Sequence, residues 1–101
     1  MTTLVARASI DGNNASYTYT ADKKRKLLCV ATGTTGNNQQ HYASISTTGK
    51  LLASKTIDAD AGQRKNQVCV AFIDVEKDNK VSLSGGGTEY GTGTMIVLDI
   101  S

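Results

Sequence analysis

The apolar residues of this 101-residue chain recur with a period of two, the spacing of side chains along one face of a β-strand. Short alternating or β-branched runs follow one another, and each ends at a turn rich in Gly, Asn or Asp. The spacing of these runs predicts one all-β domain over residues 1–101, a two-sheet antiparallel sandwich or jelly roll. We predict eight strands: Thr3–Ile10, Ala15–Thr20, Arg25–Thr32, His41–Thr47, Lys50–Ile57, Asn66–Glu76, Lys80–Ser84 and Thr94–Ile100.

Turn residues also predict how neighbouring strands connect. The turn at Asp11–Asn14 predicts a hairpin of the first two strands, and Thr48-Gly49 predicts a second hairpin of the fourth and fifth. The uninterrupted apolar run Leu27–Ala31 is typical of a strand that is covered on both faces. The segment Leu51–Lys55 could begin a short helix, but the two β-branched residues after it favour a strand.

Composition narrows the class of protein. The formal net charge is +2, too small to indicate nucleic acid or an anionic membrane as a partner. No apolar run approaches the ~18 residues that a membrane span needs, and the N-terminus lacks the basic start and apolar segment of a secretory signal. We therefore expect synthesis in the cytoplasm. With four Tyr, one Phe and no Trp, the core must be mainly aliphatic.

The two cysteines, Cys29 and Cys69, each lie inside an apolar run. If their strands are adjacent they could form a disulfide. Synthesis in a reducing compartment instead favours two buried thiols. A metal site built on them would lack further ligands, because His41 is isolated in sequence.

The sequence around each of the other candidate sites argues against the chemistry that the site suggests. Asp58 and Asp60 resemble the start of a calcium loop, but the basic segment 63–65 stands where further ligands are needed. The glycine-rich segment 85–93 precedes a strand rather than the helix of a phosphate-binding loop. His41 has no nucleophile motif beside it. We expect no enzyme, no cofactor and no metal.

Candidate binding residues lie in loops, where binding surfaces usually occur. The basic segment at the start of the third strand could contact phosphates or an acidic protein surface, or be only a solvated turn that guards the strand edge. The partner-binding residues that we predict are Lys23, Lys24, Arg25 and Lys26 in that segment, Asn37, Asn38, Gln39 and Gln40 in an uncharged loop, and Arg64, Lys65 and Asn66 in another.

Two segments resemble known proteins. Tyr42–Leu52 (YASISTTGKLL) is similar to the Ser/Thr/Gly hairpins of fibre, knob and decoration proteins of tailed bacteriophages. Tyr90–Ile100 (YGTGTMIVLDI) resembles the closing strand of trimeric jelly-roll heads, in which a Gly/Thr loop precedes the last strand. Together they cover about a third of the chain, and they carry no functional residue over to it.

The resemblance implies a rigid β domain of a virion, made in the host cytoplasm. Because the chain begins at its first strand and leaves no room for a shaft, we expect a non-enzymatic capsid decoration (cement) protein that binds the major coat protein. The alternative is a carbohydrate-binding or receptor-binding adhesion module, in which Tyr17, Tyr19, Tyr42 and Tyr90 would stack on sugars. A homo-oligomer, with a trimer as one form, is expected because the core is thin and Pro is absent.

Overall fold

The computed structural model describes residues 2–11, 15–35, 42–58, 66–86 and 91–101, and within these ranges it has eight β-strands and no helix. None of the described residues therefore forms a helix long and apolar enough to cross a membrane. The prediction of an all-β chain is confirmed. The strands are β1 (Thr3–Asp11), β2 (Ala15–Thr20), β3 (Arg25–Thr35), β4 (Tyr42–Thr47), β5 (Lys50–Asp58), β6 (Gln67–Val75), β7 (Lys80–Gly86) and β8 (Gly91–Asp99).

The strands form two antiparallel sheets of unequal width. One has five strands in the order β1-β8-β3-β6-β5, and the other has three in the order β2-β7-β4. Among the described strands, β5 and β6 are the only consecutive pair that lies side by side, so the chain otherwise crosses from sheet to sheet at each turn. This nesting is that of a jelly roll with β5 on the edge of the larger sheet, and it confirms the predicted architecture.

Both predicted hairpins are wrong. β1 pairs with β8 and β2 with β7, while β4 pairs with β7 and β5 with β6. The turn residues correctly mark where the chain reverses, but reversal permits the next strand to lie either beside the last one or across the core from it. The next strand lies across the core because the alternate apolar residues of the two facing strands then bury each other.

The core lies between the two inner faces and is mainly aliphatic. Leu27, Ile73, Leu83, Met95 and Val97 are fully buried, and each such side chain contributes roughly 1.5–3 kcal/mol by leaving water. Tyr19 is 8% exposed and Tyr17 packs against the same cluster. Two of the tyrosines that an adhesion module would offer to a sugar therefore face inward.

Cys29 and Cys69 are both buried free thiols on the inner face of the larger sheet. Cys29 lies opposite Ala71, and Cys69 lies opposite Ala31, so the two cysteines are offset along the paired strands β3 and β6. Burial raises the pKa of the Cys29 thiol to about 12, which keeps it protonated at neutral pH. They act as small apolar groups of the core, the second of the two predicted alternatives.

The two sheets are in close backbone contact at one pair of glycines. Gly85 in β7 and Gly93 in β8 are both buried, and both lie against the backbone carbonyl of Thr32 in β3. A Cβ atom added to Gly85 would collide with that carbonyl oxygen, and one added to Gly93 would lie 3.2 Å from it. The contact is between backbones, so it cannot relax by a change of rotamer.

Replacing Gly85 by alanine should therefore lower the free energy of unfolding by about 1–3 kcal/mol, the usual cost of overpacking a closed interior. Ser46→Ala, on an exposed outer position of β4, is the control and should change stability by less than about 0.5 kcal/mol. Urea unfolding of both variants measures the difference. Equal stability of the two variants would show that the sheets are not in backbone contact here.

Candidate functional site

The structure describes only part of the predicted binding surface. Asn37, Asn38, Gln39, Gln40, Arg64 and Lys65 lie outside the described residues, as do His41 and Tyr90. Asn66 is described and is half-buried immediately before β6. The two predicted loop surfaces therefore stay a prediction.

The basic segment Lys23–Lys26 does not form one cationic patch. Lys23 and Lys24 are exposed in the turn before β3, and the Lys24 Nζ atom lies 4.0 Å from Glu76 Oε1. Arg25 and Lys26 are the first two residues of β3, and the alternation of the strand sends their side chains to opposite faces of the sheet. Arg25 points to the inner side, and Lys26 points outward.

Arg25 closes one end of the sandwich through an ionic cluster. Its Nη1 atom donates to Asp99 Oδ2 at 2.7 Å, and its Nε atom donates to Asp22 Oδ1 at 3.0 Å. The Arg25 side chain is only 13% exposed, and that of Asp99 is 14% exposed. The guanidinium thus ties the β2–β3 turn to the end of β8. An arginine held in this way contributes to the fold, and its role in binding stays a prediction.

The cluster shifts the titration of its members. The pKa of Asp99 falls to about 2, first because the Ser101 backbone N–H donates to its carboxylate at 2.8 Å and then because of Arg25. The hydrogen bond from Arg25 also lowers the pKa of Asp22, and the two carboxylates raise the pKa of Arg25. The pKa of Tyr19 is raised, chiefly by burial.

The largest feature that the sequence pattern did not assign to a site is the outer face of the five-stranded sheet. Register places Leu4, Leu98, Leu28, Phe72 and Ala53 side by side in one row across all five strands. Two further rows run parallel to it and are apolar only in part. One ends in Arg7 and Lys55, and the other has the hydroxyl residues Ser9, Thr94 and Thr32 at three of its five positions. We call this surface the apolar face; it comprises Leu4, Leu28, Val30, Ala53, Ile57, Val68, Val70, Phe72, Ile96 and Leu98.

The apolar face is open to solvent within the single chain. Leu4 is 55% exposed, Ile57 is 50% exposed and Phe72 is 42% exposed, while the aliphatic residues between them are half-buried by their neighbours. Ten apolar positions on five strands cover on the order of 300 Å², given strand and residue spacings. That is near the largest patch found on typical monomers, and such patches mark interaction sites.

The outer face of the three-stranded sheet is chemically the opposite. Most outward positions of its strands are occupied by hydroxyl residues, and Thr18 contacts Ser82 at 3.1 Å between side-chain oxygens. Lys80 lies at one end of the same side, with its Nζ atom 3.2 Å from Thr20 Oγ1. One side of the molecule is therefore suited to water and the other is not. We call this surface the hydroxyl face; it comprises Ser16, Thr18, Thr20, Ser44, Ser46, Ser82 and Ser84.

The two edges of the larger sheet carry features that discourage pairing with another strand. The register shifts between Leu4 and Ala6 in β1 and between Leu51 and Ala53 in β5, so each edge strand has a bulge. Lys55 adds a charge to the β5 edge, all of whose residues are exposed. Bulges and edge lysines are the devices by which β-proteins avoid edge-to-edge association. The face of the sheet, rather than its edges, is therefore the candidate binding surface.

The concave features of the described surface are shallow. A depression of about 140 Å³ on the apolar face is lined by Ala53, Ser54, Lys55, Val70 and Phe72. A larger open one of about 680 Å³ is lined by Lys24, Arg25, Lys26, Asp74, Ile100 and Ser101. Within the described ranges, no group of three or more His, Cys, Asp or Glu side chains could hold a metal ion. Asp60 and His41 lie outside those ranges.

The Asp99 carboxylate should make stability depend on pH at acid values. Its pKa is about 2 in the folded chain and near 4 when unfolded, so its contribution is complete above about pH 4 and is lost as the pH falls towards 2. Asp99→Asn should therefore lower the urea midpoint at pH 7, and its deficit relative to wild type should shrink between pH ~4 and ~2.

The control is Asp78→Asn, which makes the same charge change at an exposed turn position whose φ of 73° asparagine tolerates. Urea midpoints measured across this pH range separate the two variants. A deficit of Asp99→Asn that is the same at pH 2 as at pH 7 would contradict the role of the ionised carboxylate.

Comparison with protein-family models, with curated proteins and with solved structures finds no match for this chain. The fold and the two outer faces therefore rest on the chain itself. The likeness of Tyr42–Leu52 and Tyr90–Ile100 to phage virion proteins stays a hypothesis, and any function must be argued from the surfaces described above.

Proposed function

We propose that this chain is a non-enzymatic structural protein that docks onto a larger protein assembly through its apolar face, as a capsid decoration (cement) protein of a phage particle. The observation that carries the proposal is the five-stranded sheet with both faces apolar. An antiparallel sheet with a solvated face normally alternates apolar and polar residues, whereas continuous apolar runs are typical of strands buried on both sides. Leu28, Val30 and Ile96 break the alternation expected of a solvated face.

The magnitude of the available burial agrees with docking onto an assembly. At about 25 cal/mol per Å², covering on the order of 300 Å² of apolar surface contributes at most about 8 kcal/mol before costs. Association itself costs an estimated 4–15 kcal/mol. One such contact is therefore marginal alone, and binding is secured by many copies on a repeating surface or by additional contacts at the border of the face.

The two-sided character of the molecule supports a decoration role in particular. The apolar face would lie on coat subunits, and the hydroxyl face would remain in water on the outside of the particle. The free thiols Cys29 and Cys69 suit assembly of the particle in a reducing host cytoplasm. A homo-oligomer, including the predicted trimer, would have to use surfaces other than the apolar face.

The adhesion alternative keeps one supporting observation. Tyr42 is 55% exposed and lies on the outer side of β4, in line with Ser44 and Ser46 of the hydroxyl face. An exposed ring beside hydroxyl groups is an arrangement that can stack on a sugar and bond to it. Tyr17 and Tyr19, however, face the core, so the alternative has a smaller surface than the sequence suggested.

Incorporation into particles tests the decoration proposal. Particles produced by the genome that encodes the chain are purified by density gradient, and the chain is quantified by mass spectrometry. Wild type should be present in many copies. Phe72→Lys should lower incorporation about tenfold or more, because it loses the burial of a large side chain and buries a charge instead.

The matched control is Ser44→Lys, which adds the same charge on the hydroxyl face and should incorporate like wild type. Urea unfolding of both variants confirms that they are folded. Absence of wild-type chain from the particles would overturn the decoration role, and normal incorporation of Phe72→Lys would overturn docking through the apolar face.

A glycan array distinguishes the adhesion alternative. On the decoration proposal, the purified wild-type chain should give no signal above that of Tyr42→Ala. Specific binding to one class of glycan that is lost in Tyr42→Ala, together with absence from particles, would establish the alternative instead.

A further inference from the structure

A border of positive charge surrounds the apolar face. Arg7 lies at one end of a row whose apolar members are Ile96, Val30 and Val70, and Lys55 lies at its other end. Lys26, Asp74 and Lys50 form the next row beyond Leu28 and Phe72. Arg7, Lys26, Lys50 and Lys55 are all exposed, and we call these four residues the basic border.

Among the residues whose side chains the structure describes, this side carries net positive charge. The four cations and the carboxylate of Asp74 give +3, whereas the whole chain carries +2, so all other residues together carry −1. Beyond Asp74, the pair of Lys24 and Glu76 at 4.0 Å adds no net charge. The positive charge of the basic border is therefore a local feature of the apolar face and does not follow from an overall basic composition.

We infer that the surface recognised by the apolar face is an apolar patch of another protein bordered by Asp and Glu carboxylates, and not a second copy of this chain. The inference rests on the proposed function and specifies its partner. The apolar rows of this chain can be desolvated against an apolar surface of the partner. The guanidinium of Arg7 can bind one carboxylate in a bidentate pair, and each of the three lysines can pair with one carboxylate as a point charge.

A second copy is disfavoured by the charges. Two apolar faces in contact would bring eight cations and two carboxylates to the boundary of one interface. Juxtaposed like charges at an interface cost several kcal/mol, which is comparable to what the marginal apolar contact supplies. The basic border of this chain instead attracts an acidic partner and accelerates their encounter.

An anionic membrane would complement the positive charge of the basic border but would match the apolar rows less well than a protein surface. Val30, Val70 and Ile96 are half-buried between neighbouring strands, so only part of each side chain is available for insertion into a bilayer. The face of a sheet packs well against another protein surface at the usual spacing of about 10 Å. Protein is therefore the partner class, and binding to anionic vesicles is an outcome that would overturn the inference.

Binding kinetics test the border separately from the face. Particles from a genome that lacks the gene for this chain are mixed with purified labelled chain at about 20 mM and about 300 mM NaCl, which span weak and strong screening. The association rate of wild type should fall about tenfold or more with salt. The triple variant K26Q/K50Q/K55Q should lose most of this salt dependence, because border charges act mainly on association rate.

The matched control is K23Q/K77Q/K80Q, which removes the same number of exposed lysines away from the apolar face. It should keep the salt dependence of wild type. If both triple variants behave alike while Phe72→Lys still abolishes binding, the inference about carboxylates fails and the proposed docking stands.

Three further measurements do not depend on particles. Sedimentation velocity should show no association that Phe72→Lys abolishes, and a dimer that this variant dissolves would overturn the inference. Flotation with phosphatidylglycerol vesicles should leave the chain unbound. On a resin carrying phenyl and carboxylate groups, the border triple should elute earlier than its control; equal elution would overturn the inference even if particle binding fails.

Discussion

The rest of this structure depends on the burial of the inner faces of two sheets that differ in width. Three strands cannot cover five, so the smaller sheet is centred on the middle of the larger one and leaves β5 uncovered. The covered region is filled by aliphatic side chains, with a close backbone contact at Gly85 and Gly93. At one end of the sandwich the Arg25 cluster joins the β2–β3 turn to the last strand. A small domain has little core to spare, and these two contacts add to what side-chain packing supplies.

Period-two patterning was enough to place the strands and the all-β class, because it depends only on which side of each strand is buried. Pairing was not predictable from the turns, since the residues around Gly49 mark a reversal whether the next strand lies alongside or opposite. The role of Arg25 was hidden for a different reason. In sequence it is one of four consecutive basic residues, but strand alternation turns it inward, and its partner Asp99 is 74 positions away.

The sequence indicated an apolar outer surface but not where it lies on the folded chain. The run Leu27–Ala31 correctly indicated a strand apolar on both sides, yet only the register shows that Leu28 and Val30 continue into Ile96, Leu98 and Phe72 on neighbouring strands. The apolar residues used there cannot add to the core. The folded chain therefore gives up internal packing for an external surface, and any partner that covers this surface also stabilises the native state by mass action.

The position of β5 has a topological consequence. β5 follows β4 after a two-residue turn, and β4 is the last strand of the smaller sheet, with no neighbour on its far side among the described strands. Transfer of β5 from β6 to β4 would convert five strands and three into four and four without altering any other pairing. Such a transfer would remove Ala53 and Ile57 from the larger sheet and so narrow the exposed rows by one strand. The short β4–β5 connection would permit such a transfer, and contact of a partner with the wider sheet would favour the present arrangement.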